Sequence, residues 1–387
     1  MNLFFLKMKA AYFFFGLLLL TSFSIQAQPL SAFVNFQNQF QVWDNTIERK
    51  IESLVPVKYD IGRIAIPYID NNSNFKIYYK GGVQQLNEGF TNDFVPTDNL
   101  VAYRNQNILH VWEQGKVTKL SNYVTNYAVG DSLVLFYDNI YSTYKAYYQG
   151  NVFDIETFLA ARNISNSNGK AIFDGQSIAS GQLPVLKVSD NIAAFINYAE
   201  RFKIFYHGQL LEQEQYLVAN FDVGRNTVAY VDANQAFKIF HEGKTEEIEA
   251  LSPSSYKTGD DIVAYVSNDG YFKIYYQGEA LEVGYFTPDE YLVADNIVAF
   301  KDAGGYFKVF YKGKIYTLDA FYPNNSYKLS YNSLAYVSNN GMIRMFSDGN
   351  VYDVTNASVS EWRLDYDVLQ YRFGSNMYKV FYKGKTY

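Results

Sequence analysis

The chain has 387 residues, a formal net charge of −6 with both signs interspersed, and no cysteine. That charge pattern argues against nucleic acid or an anionic membrane as a partner. The missing cysteines exclude disulfides, thiolate metal sites and a lipid-bearing cysteine. Tyrosine and phenylalanine number 37 and 31 against three tryptophans and three histidines, and both favour packed, pleated surfaces.

Residues 1–9 are basic and apolar, 10–20 form an apolar run, and 22–28 are small or polar. This order predicts a secretory signal peptide over 1–27 cleaved after Ala27, since the run is shorter than the ~20 apolar residues of a membrane span. The remainder, 28–387, is expected to be exported to the periplasm or cell surface, without a lipid anchor and without an integral span.

From residue 31 onward the chain repeats. The phrases Asp-Asn-Ile-Val-Ala-Phe (295–300) and Tyr-Phe-Lys-Val-Phe-Tyr-Lys-Gly (306–313) recur with small changes, each copy closed by a glycine: Gly81, Gly115, Gly150, Gly208, Gly243, Gly278, Gly313, Gly349 and Gly384. Their spacing is about 35 residues, except between Gly150 and Gly208, where residues 170–175 hold a shortened copy. With a degenerate copy at 31–44, eleven second phrases are present.

Within a unit, 296–301 reads as a first strand, 306–311 as a second, 315–318 as a third and 327–330 as a weaker fourth, separated by Gly, Asn and Asp turns. Thirty-five residues of this kind hold three or four antiparallel strands and no helix. Both faces of 307–311 are apolar, as in blades stacked round an axis. The fold class is therefore all-β, a β-propeller of antiparallel repeats, with two smaller propellers divided near 160–188 or a linear β-repeat array as alternatives. The alanine at the centre of the first strand (Ala102, Ala194, Ala229, Ala264, Ala299, Ala335) suggests the crowded inner wall of a ring.

On these phrases, over 31–387, the chain resembles the secreted tandem-repeat propellers of Bacteroidota-type bacteria. The resemblance implies architecture and carries over no catalytic residue. The Trp-Asp ending of WD repeats and the Asp box of sialidases are absent, and the chain ends on a repeat strand, so no appended C-terminal sorting domain is expected.

Four sets of residues are candidates for chemistry. His110, His207 and His241 share no metal-ligand spacing and fit turns or strand edges. Glu212, Glu214, Glu246, Glu247 and Glu249 lie on third runs, as solvated-face residues or, less simply, as an acid and base for glycoside hydrolysis. Asp98, Asp131, Asp190, Asp260 and Asp295 precede the first strands, where Arg225, Tyr331 and Tyr366 stand in other copies; they are turn residues or a ring of oxygen ligands for a cation such as Ca²⁺. Five positions before the glycines stand Lys76, His110, Lys145, Lys170, Lys203, Lys238, Lys273, Lys308, Arg344 and Lys379. Their stems pack along aromatic rings and their heads meet carboxylates, or they form a basic track for an anionic polymer. The expectation is a non-enzymatic binding module without cofactor, taking a protein or glycan partner at the cell envelope; a structural envelope component or a carbohydrate-active hydrolase or lyase is the alternative.

Overall fold

The computed structural model describes residues 29–87, 90–91, 93–156, 171–173, 186–197, 199–323, 326–374 and 377–387. The expected leader and Lys170 lie outside the described residues. No helix occurs among them.

Ten antiparallel sheets follow one another in chain order, spanning 30–52, 58–87, 93–121, 124–156, 186–214, 220–249, 255–285, 291–319, 327–353 and 362–386. In the seventh, Ser255–Thr258, Ile262–Val266, Tyr271–Tyr276 and Glu279–Tyr285 pair in sequence order. Burial follows position. Ile262–Val266 is buried throughout because both its faces meet neighbouring blades, whereas Glu279–Tyr285 faces water and is charged. The closing turn places Gln277 and Gly278 at φ 53° and 84°. Two successive positive values make the type I′ geometry that matches strand twist, and they explain the repeated glycine.

Ten hydrophobic clusters hold the sheets together, and each straddles one junction. Ile262, Ala264 and Ile274 of blade 7 pack on Val298, Phe300 and Phe310 of blade 8. The tenth cluster joins the chain's two ends: Phe33 and Trp43 of blade 1 meet Val368 and Val380 of blade 10. Ser31 Oγ donates to Gln370 Oε1 at 2.9 Å, and Phe33 stacks on Tyr378. A linear array leaves its end faces unpacked. The ten sheets are instead the blades of one closed propeller.

Of the shortened copy, residues 171–173 add a fifth strand to the fourth sheet, pairing with Val124–Val129. One expectation requires correction. The alanine-centred run is the second strand of its blade, not the innermost. The axis is lined by short preceding strands such as Leu186–Ser189 and Tyr327–Ser330, which touch their counterparts in adjacent blades. The size rule still has its physical origin, because Ala102, Ala194, Ala229, Ala264, Ala299 and Ala335 are fully buried where blade packs on blade.

In an antiparallel meander the first-to-second and third-to-fourth turns share one end, while second-to-third turns and interblade loops share the other. The ring therefore has two chemically distinct ends, called here the turn end and the loop end.

Candidate functional site

At the turn end, the residue eighteen positions before most closing glycines points at the axis. The described set, from blade 2 to blade 10, is Arg63, Asp98, Asp131, Asp190, Arg225, Asp260, Asp295, Tyr331 and Tyr366. Backbone bonds between neighbouring turns fix the geometry: Ser132 N–H donates to Asp190 O at 2.8 Å, Asp260 N–H to Asp295 O at 2.6 Å, and Asp261 N–H to Arg225 O at 3.2 Å. The chain can come this close because the residue before the turn is often glycine. A Cβ on Gly224 would lie 1.8 Å from Gly259 O, and one on Gly259 2.3 Å from Asp295 O.

Arg225 is the hub. Its Nη2 lies 2.9 Å from Asp131 Oδ2 and 3.7 Å from Asp98 Oδ2, its Nε 3.6 Å from Asp190 Oδ2 and its Nη1 3.4 Å from Asp260 Oδ2. Burial alone lowers a guanidinium pKa, but the Asp260, Asp190, Asp131 and Asp98 carboxylates together hold Arg225 above its ordinary value. Arg63 Nη1 stands 3.2 Å from Asp98 Oδ2, and its Nη2 donates to Tyr331 Oη at 2.7 Å. Arg63 was not singled out by sequence reasoning, although it stands before Gly81 as Arg225 stands before Gly243.

With five aspartates against two arginines, the mouth is acidic. Burial, then the charges of Asp131 and Asp260, push the Asp190 carboxyl well above the usual carboxylate range. Burial likewise raises Tyr366, with Asp98, Asp131 and Asp295 adding to it. Below the ring lies a cavity of about 550 Å³ whose walls include Asp98, Asp190, Asp295, Tyr331, Tyr366 and Lys58. Asp190, Asp260 and Asp295 bring one oxygen each within 4.8 Å of one another, a donor set suited to a hard cation. Arg225 stands against two of these three. Asp98 and Asp131, the other members of the expected calcium ring, gather round the same guanidinium.

Several members of the lysine series clamp their blade to the preceding one, while others pair within their own blade. Lys238 Nζ is 2.9 Å from Asp232 Oδ2 in its own blade and 2.8 Å from Glu214 Oε1 on the outer strand of the preceding blade; Tyr230 Oη donates to that same oxygen at 2.9 Å. Lys76 repeats the arrangement with Asp70, Glu52 and Tyr68, and Lys273 with Glu249 and Tyr265. Lys203 meets Glu156, Lys308 meets Asp302, Lys145 meets Asp138, and Arg344 meets Asp353. Lys379 lies over the Phe373 ring at 4.1 Å, and His110 stacks on Tyr103. Glu214 and Glu249, read from sequence as solvated-face residues, are thus interblade anchors, while Glu246 and Glu247 are exposed.

Changing Lys238, Lys273 and Lys308 together to Gln is expected to cost roughly 1 kcal/mol at Lys238 and at Lys273, which reach a glutamate of the preceding blade, and less at Lys308, which meets Asp302 of its own. Denaturant midpoints check this. Retention on an anionic glycan column should stay the same; selective loss of salt-sensitive retention in a folded variant would instead assign these lysines to a polyanion.

The comparisons with known proteins follow the architecture. A model of the 10-bladed beta propeller domain matches residues 24–387. Similar solved structures include the computationally designed Ika8 protein (15% identity, 84% of this chain and 95% of that one, TM-score 0.32) and Hsv2p of Kluyveromyces lactis (11%, 72% and 94%, 0.30). Another is PorZ, a surface component of the type-IX secretion system of Porphyromonas gingivalis (9%, 90% and 56%, 0.26). Scores this low carry no functional argument. No curated protein matches the chain.

Proposed function

The chain belongs to the ten-bladed β-propeller domain family, and we propose that it is an exported, non-enzymatic interaction module that holds a protein partner on its loop end. The observation that carries this reading is the asymmetry of the two ends. Tyr216, Tyr285, Phe321, Phe90, Tyr141 and Phe36 are 61–73% exposed; Tyr216, Phe321 and Phe90 lie in interblade loops, Tyr285 ends an outer strand beside one, Tyr141 lies in a second-to-third-strand turn, and Phe36 in the turn joining the first two strands of the three-stranded blade 1. Among the described residues, the exposed large apolar side chains nearest the opposite end, such as Ile47, Val83 and Val117, are aliphatic and lie at the start of outer strands. Exposed aromatic groups presented on one end of a rigid scaffold are what protein recognition uses. Of the acids at this end, Asp289 is paired with Lys301 and Glu361 with Arg372, as Arg201 is with Glu212. The partner surface is therefore chiefly apolar.

Glu214 and Glu249, two of the glutamates considered for hydrolysis, already hold lysine and tyrosine, and the export reading rests on the leader expected over 1–27.

A photo-crosslinking residue at Tyr216, Tyr285 or Phe321, introduced in the native host, should trap one discrete protein, whereas the same residue at Gln277 or Lys312 on the turn end should not. Equal trapping from both ends would defeat the proposal. So would trapping from neither end together with selective retention on a glycan array, which would assign the aromatic face to sugar stacking.

A further inference from the structure

At several junctions the corner between a closing turn and the next blade carries a tyrosine and an asparagine. Tyr206 Oη donates to Asn226 Oδ1 at 3.2 Å, and the neighbouring corners carry Tyr276, Gln277 and Asn296, then Tyr311, Lys312 and Asn332. Between blades 6 and 7 all three residue types change at once, to His241, Glu242 and Asp261. Among the described junctions, this is the one that combines a histidine with two carboxylates at these positions.

The geometry is compact. His241 Nε2 lies 3.3 Å from Asp261 Oδ1, and one donor atom from each of the three residues falls within 4.8 Å of the others. Asp261 is oriented from behind: Asn226 Nδ2 donates to its Oδ1 at 3.1 Å, and Asn191 Nδ2 donates to Asn226 Oδ1 at 2.7 Å. Such outer hydrogen bonds fix ligating carboxylates elsewhere. The corner opens on a depression of about 580 Å³, which Glu246 and Asn296 also line.

We propose that His241, Glu242 and Asp261 bind a divalent transition-metal ion, with zinc the best match. One imidazole nitrogen with two carboxylate oxygens is a borderline donor set. Calcium takes six or more oxygens, and soft ions take thiolates, which this chain lacks. Three protein donors leave a coordination position open towards the depression for water or a ligand group. Exchanging Tyr for His and Asn for Asp would by itself preserve the hydrogen bond seen at Tyr206 and Asn226. It gives no reason for the carboxylate at Glu242, which is Gln277 and Lys312 in the next two corners; the corner between blades 9 and 10 also places two carboxylates, Asp348 and Asp367, but Ser347 supplies no imidazole there.

The test uses the full mature protein stripped of metal and titrated calorimetrically with zinc chloride. The comparison variant restores the repeat residues, His241→Tyr, Glu242→Gln and Asp261→Asn, so that the corner becomes the one blade 7 already makes with blade 8. Wild type should take up one zinc per chain at micromolar affinity, and its thermal midpoint should rise with zinc. The restored variant should bind at least about tenfold more weakly, with a midpoint that zinc leaves unmoved, and calcium should shift neither protein. If the triple variant folds poorly, His241→Tyr alone serves the same purpose. Equal zinc binding by wild type and the variant, or no saturable uptake by wild type, would overturn the assignment.

Discussion

Replacing Arg225 by Met is expected to cost about 3 kcal/mol of stability at pH 7, because it removes the guanidinium round which four buried carboxylates gather. The side chains of Asp98, Asp131, Asp190 and Asp260 are 3–9% exposed and all lie within 3.7 Å of Arg225. Without it, Arg63 is the remaining basic member of the described ring. Arg225→Lys keeps the charge but cannot fork among four partners, so an intermediate loss is expected.

The pH dependence has a definite sign. A carboxyl raised in the folded state, as Asp190 is, contributes stability that is complete below its unfolded value of about 3.9 and lost as pH rises through the folded value. Removing Arg225 enlarges that loss, so the variant should recover on acidification. Asp70, Asp232 and Asp302 behave oppositely. Burial alone would raise them, but hydrogen bonds from Lys76, Lys238 and Lys308 and from backbone N–H groups hold them below the usual range. Their contribution is present above about pH 3.9 and lost as pH falls through the depressed values. Urea midpoints of both proteins at pH 7 and pH 4.5 separate the two effects. An unchanged midpoint at pH 7 would show that the carboxylates do not need Arg225. Adding Asp190→Asn should return part of the loss.

Gly224→Ala is expected to be at least as damaging, roughly 3 kcal/mol or more, since overpacking here cannot be relieved by turning a side chain. The added carbon would stand 1.8 Å from the carbonyl oxygen and 2.5 Å from the carbonyl carbon of Gly259, which is backbone of the next blade. Gly243→Ala is the control. That glycine has φ +88° but open space around it, so only the left-handed conformational penalty of about 1–2 kcal/mol applies. Equal losses at the two positions in chemical denaturation would show that the neighbouring blades move apart freely, contrary to the close contact at the axis.

Strand chemistry, the all-β class and the repeat were legible in the sequence because both faces of the second and third strands are buried, so their apolar pattern is constrained in every copy. The innermost strands were misplaced for the opposite reason. Leu186–Ser189, Tyr327–Ser330 and Trp362–Asp365 border the axial channel, and Lys187, Lys328 and Arg363 interrupt their apolar residues. A short strand facing a polar channel has little to distinguish it from a loop. Blade count was obscured by residues 171–173, whose pairing to an existing sheet is a long-range event that local pattern does not encode.

Of the site residues, the axial aspartates were visible as a register but their convergence on Arg225 was not, because Arg225 and Asp131 are brought together by the ring and not by spacing. His241 was set aside when the histidines were compared with one another. The informative comparison was with its own repeat position, where it replaces tyrosine at a corner in which Glu242 and Asp261 change as well.

The division of the interior into ten separate clusters makes this molecule behave as a closed series of nearest-neighbour couplings. Nine of the ten couplings join blades that are also linked by a single interblade loop, so a junction that parts is re-formed by neighbours held at high local concentration. The contact of Phe33 and Trp43 with blade 10 is different: the ends it joins are connected covalently only through the whole circumference, and re-forming it requires closing the longest loop in the protein. Breathing of the ring should therefore concentrate at that seam, which opens the circle into an arc without dismantling any blade.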